Sequence, residues 1–70
     1  MSNPATLPPL ILTSVDYHKA AAKYHEDAAE AHQQAAAHYT YGDYQRAIEQ
    51  ARLAREYGFQ AVEQCSLAME

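Results

Sequence analysis

Seventy residues with nine acidic and five basic side chains, a formal net charge of −4, allow one small domain and no second core. That balance supplies no basic footprint for phosphates, and no apolar run nears the roughly 18 residues of a membrane span, which excludes nucleic acid and the bilayer core as partners. With a single cysteine, Cys65, no disulfide can form within the chain, so so short a sequence needs a partner subunit or a ligand for stability. The first residues lack the positive n-region and apolar h-region of a secretory signal, which with one free thiol gives a cytoplasmic expectation.

Residues 1–12 hold all three prolines, Pro4, Pro8 and Pro9. Proline lacks an N–H and restricts the residue before it, so this arm is expected to be extended or irregular. Its apolar half, Leu7 and Leu10-Ile11-Leu12, suits packing on a helix surface or a partner subunit.

Residues 13–70 read as a helical hairpin. A helix is expected over about 14–41, with Thr13 or Ser14 as its cap and Asp16 completing a weak capping box. Its sequence repeats every seven residues: His18, His25 and His32 form one row, Ala21, Ala28 and Ala35 a second, and Ala22, Ala29 and Ala36 a third. Seven residues are close to two turns, so each row is a stripe on one helix face.

Gly42-Asp43 is the break, a glycine C-cap followed by an aspartate suited to cap the next helix. The second helix, expected over about 44–68, repeats with the same period. Ala47, Ala54, Ala61 and Ala68 form one row, Ala51, Gly58 and Cys65 a small row beside it, and Glu49, Glu56, Glu63 and Glu70 a row facing water. Glycine in mid-helix costs about 1 kcal/mol against alanine. Gly58 is therefore expected where another backbone comes close.

Folding at Gly42 makes the helices antiparallel. The register this predicts sets Ala35 against Ala51, Ala31 against Ala54 and Ala28 against Gly58. Further out it sets Tyr24 against Ala61, Ala21 against Cys65 and Tyr17 against Ala68, large facing small as close packing requires. Ile48, Val62 and Met69 line one flank of the second helix, with Leu53, Phe59 and Leu67 beyond. The expected fold is all-α, an antiparallel hairpin with an alanine-rich seam, dimerising through these flanks into a four-helix bundle.

The residues able to carry chemistry are few. Imidazole is the commonest metal ligand, but ligands on one helix converge at i and i+3 or i+4. His18, His25 and His32 stand about 10.5 Å apart along the axis, and none has Glu, Asp, Cys or His at those offsets. A zinc, copper or nickel site on them requires a second helix or subunit, and packing against Tyr and Ala at a bundle interface is the simpler reading. His38 near the first helix's C-terminus suits the dipole, or joins Tyr39, Tyr41 and Tyr44 over the turn. Tyr57 is expected on a boundary surface. Cys65 has no basic neighbour to activate it and reads as a buried small apolar group. Glu49, Arg52, Arg55 and Glu56 suit surface pairing. No nucleophile with a base, phosphate-cradling loop or acid–base pair is present, so no enzyme activity and no dedicated cofactor are expected.

Two resemblances bear on the fold. Ala36-Ala37-x-Tyr39-x-x-Gly42-Asp43-Tyr44-x-x-Ala47 resembles the turn between the helices of a tetratricopeptide repeat, here in one copy with helices about twice that family's length. The pattern H-x-x-A-A-x-x-H from His18 to His25, then A-G-[DN]-[HY]-x-x-A over Gly42 to Ala47, resembles short His- and Ala-rich bacterial helical-hairpin proteins. The second implies a hairpin and no established activity; tyrosine or alanine stands where its paired histidines would. The functional expectation is a non-enzymatic protein acting through self-association, as a homodimer or higher oligomer, or through a protein partner. Transition-metal sequestration by His18, His25 and His32 is one alternative, and a peptide-binding module built on the turn is another.

Overall fold

A computed structural model describes residues 9–69 as two helices, α1 (Pro9–Thr40) and α2 (Tyr44–Ala68), packed side by side as an antiparallel hairpin. The expected arm over residues 1–12 is partly overturned, because α1 begins at Pro9. Proline suits the first helical position, where its missing N–H has no partner to lose and its φ is already helical. The rest of the arm, before Pro9, lies outside the described residues.

The turn closes as the sequence requires. Gly42 has φ +77°, and its N–H donates to the Tyr39 carbonyl at 3.1 Å while the Asp43 N–H donates to the His38 carbonyl at 2.9 Å. This pair of bonds is a Schellman ending, which satisfies α1's last carbonyls and needs a residue free to adopt positive φ. Asp43 then caps α2: its carboxylate accepts a long 3.4 Å bond from the Arg46 N–H, and Arg46 Nε lies 3.5 Å from the other oxygen. Replacing Asp43 with alanine should cost about 1 kcal/mol through the lost cap. A urea melt would show a lowered midpoint with unchanged slope.

Along the seam the buried side chains are alanines: Ala21, Ala28, Ala31 and Ala35 from α1, and Ala47, Ala54, Ala61 and Ala68 from α2. The row predicted to face inward on α2 does so, while its neighbour, Ala51, Gly58 and Cys65, is only half-buried. One detail of the predicted register is corrected: Gly58 is not a point of close approach within the hairpin, because a Cβ placed there meets nothing within 4 Å. This follows from a seam centred on the 47/54/61/68 row, which leaves the 51/58/65 row at its edge. Tyr24 packs its ring on Tyr57, centroids 6.5 Å apart, a contact the predicted register did not name.

Candidate interaction surface

Two aromatic pairs fix what lies on each side of the seam. Tyr24 and Tyr57 meet on one side, continuing into a surface groove lined by Asp27, Glu30, Ala31, Gln34, Gln50, Leu53 and Tyr57. This face is polar, and Asp27 also holds the Lys23 ammonium at 2.9 Å. That hydrogen bond, then the Asp27 charge, raises the lysine above its ordinary value; the benefit exists below that value and is lost as pH rises through the raised one. The pair is exposed and adds little to stability.

On the other side Tyr39 and Tyr44 pack with centroids 6.0 Å apart. Tyr39 lies seven residues beyond His32 and continues the histidine row; Tyr44 lies seven before Ala51 and continues the small row. Their contact places both rows on one face. His18, His25 and His32 therefore run along α1 opposite Ala51, Gly58 and Cys65 on α2, flanked by Ala22, Ala29 and Ala36 and by Ile48, Val62 and Met69. The three histidines are exposed in the single chain. Ile48, Val62 and Met69 are exposed too, with Phe59 at 64% and Leu53, on the polar side, at 43%. Arg55, between Ile48 and Val62, lies over the Phe59 ring at 5.8 Å, a cation–π contact rather than the carboxylate pairing expected for it.

The remaining candidates are placed as follows. Tyr17 is half-buried on the row of Tyr24. Cys65 is a free thiol, half-buried at the seam's edge rather than fully enclosed. Tyr57, expected at a boundary, is half-buried against Tyr24. His38 Nδ1 lies 3.9 Å from Asp43 Oδ2, so this histidine belongs to the turn. Tyr41 stands apart from the Tyr39–Tyr44 pair, 87% exposed. Among the described residues no three His, Cys, Asp or Glu side chains converge as a metal would require. A metal held by His18, His25 and His32 would need ligands from a second chain. A second surface groove, lined by Arg52, Arg55, Glu56 and Phe59, lies on α2 alone. No described helix is long and apolar enough to cross a membrane.

Sequence reasoning missed the asymmetry between the two faces. Its signal was present in the identities of the rows: Asp27, Glu30 and glutamines on one edge, histidines and small residues on the other. Comparisons with protein families, with curated proteins and with solved structures find no match to this chain.

Proposed function

We propose that this chain is a non-enzymatic interaction protein whose working form is a self-associated helical hairpin, most simply a dimer forming a four-helix bundle. The observation that carries this reading is the composition of the seam. Its buried side chains are alanines, while Ile48, Leu53, Phe59, Val62 and Met69 stand exposed. Burying one methyl contributes about 0.8 kcal/mol, less than the roughly 1–2 kcal/mol that ordering one residue's backbone costs. Helices whose buried side chains are alanines need further apolar burial than two tyrosine pairs provide, and Ile48, Phe59, Val62 and Met69 supply it when a second hairpin covers them.

Sedimentation equilibrium of the purified chain tests the reading. The expected mass is a multiple of 7.8 kDa at micromolar concentration. A folded, fully helical species at 7.8 kDa under the same conditions would exclude it.

A further inference from the structure

We infer that a second copy of the hairpin packs on the face where His18, His25 and His32 run beside Ala51, Gly58 and Cys65, with the close approach at Gly58. This rests on the self-association reading and adds which surface is used.

Two observations select this face, and a third sets how many copies it takes. The first is the gap at Gly58. Within its own hairpin a Cβ there would touch nothing within 4 Å, so intrachain packing does not require glycine over alanine, although glycine weakens a helix interior more than any residue but proline. A backbone crossing from outside would require it, and the half-buried Ala51 and Cys65, seven residues before and after, continue the same row of small side chains.

The second is charge. Two copies of a chain carrying −4 repel wherever carboxylates meet. The opposite groove presents Asp27 and Glu30, whereas the rows bordering the seam on this side are histidine, alanine, glycine and cysteine. Pairing through this face keeps the carboxylates in water.

The third is area. α2 has 25 residues and spans about 37 Å at 1.5 Å per residue. Two helices side by side make a face roughly 18 Å across, giving on the order of 700 Å² per copy. A standard stable interface buries about 800 Å² per partner, so one face of this hairpin is the right size for a dimer and leaves the other free.

The test uses the native thiol as a reporter at a concentration where sedimentation gives the dimer. Cys65 should react with iodoacetamide at least about tenfold more slowly than a cysteine placed in the opposite groove, Gln34→Cys in a Cys65→Ser background, because Gln34 is exposed and stays so. Gly58→Leu, whose Cβ meets nothing within 4 Å in its own chain, should weaken dimerisation at least about tenfold. Protection of the position 34 thiol instead, equal reactivity of both in a proven dimer, or a Gly58→Leu dimer of unchanged affinity would overturn the choice of face. A chain that stays monomeric overturns the self-association reading itself.

Discussion

Ala54→Leu should unfold the hairpin or lower its melting temperature by on the order of 15 °C. Ala54 is 1% exposed in a seam whose buried positions are alanines, so the added carbons have no larger neighbour to rearrange around. Overpacking costs about 1–3 kcal/mol where side chains can shift, and here the helices themselves must separate, which places the cost at the upper end. For a chain of this size each kcal/mol moves the midpoint by roughly 4–8 °C. Ala61→Leu, at a position with no exposed surface, should behave alike. Thermal melts followed by circular dichroism check both, and an unchanged midpoint in either would contradict the alanine seam. Gly58→Ala is the internal contrast. Its Cβ enters open space within the hairpin, so any destabilisation it causes comes from another molecule.

The second large effect is on charge. Enclosing a carboxylate at an interface between two negatively charged copies sets like charges against each other in a dry contact and costs several kcal/mol. His18, His25 and His32 lie on the face proposed for the second copy. Replacing His25 with glutamate should therefore move the chain from dimer to monomer or unfolded chain in sedimentation. Gln34→Glu, in the opposite groove, should leave the dimer in place. A His25→Glu dimer of unchanged affinity would show that the stripe remains in water.

Much of this architecture is legible in the sequence because it depends on periodicity and on one turn. The 47/54/61/68 row needs only a seven-residue repeat to be recognised as inward-facing, and burial follows it residue by residue. Gly42-Asp43 fixes the reversal through a local requirement for positive φ and a capping carboxylate, neither of which depends on distant contacts. The start of α1 was harder to read, since Pro9 is compatible both with an extended arm and with the first turn of a helix. Gly58 misled for a different reason. Its helical position predicts a close neighbour without saying from which chain, and the seam turned out to be centred on the adjacent row. Function is less legible than fold because exposed histidines, an apolar flank and a free thiol acquire a role only from what covers them.

The most direct measurement is the melting temperature of the full chain across a hundredfold range of protein concentration. Hairpins that depend on one another should melt higher as concentration rises, since mass action favours the assembled state. A midpoint that stays the same over the whole range, with full helicity at the lowest concentration, would show that two alanine-lined helices suffice alone.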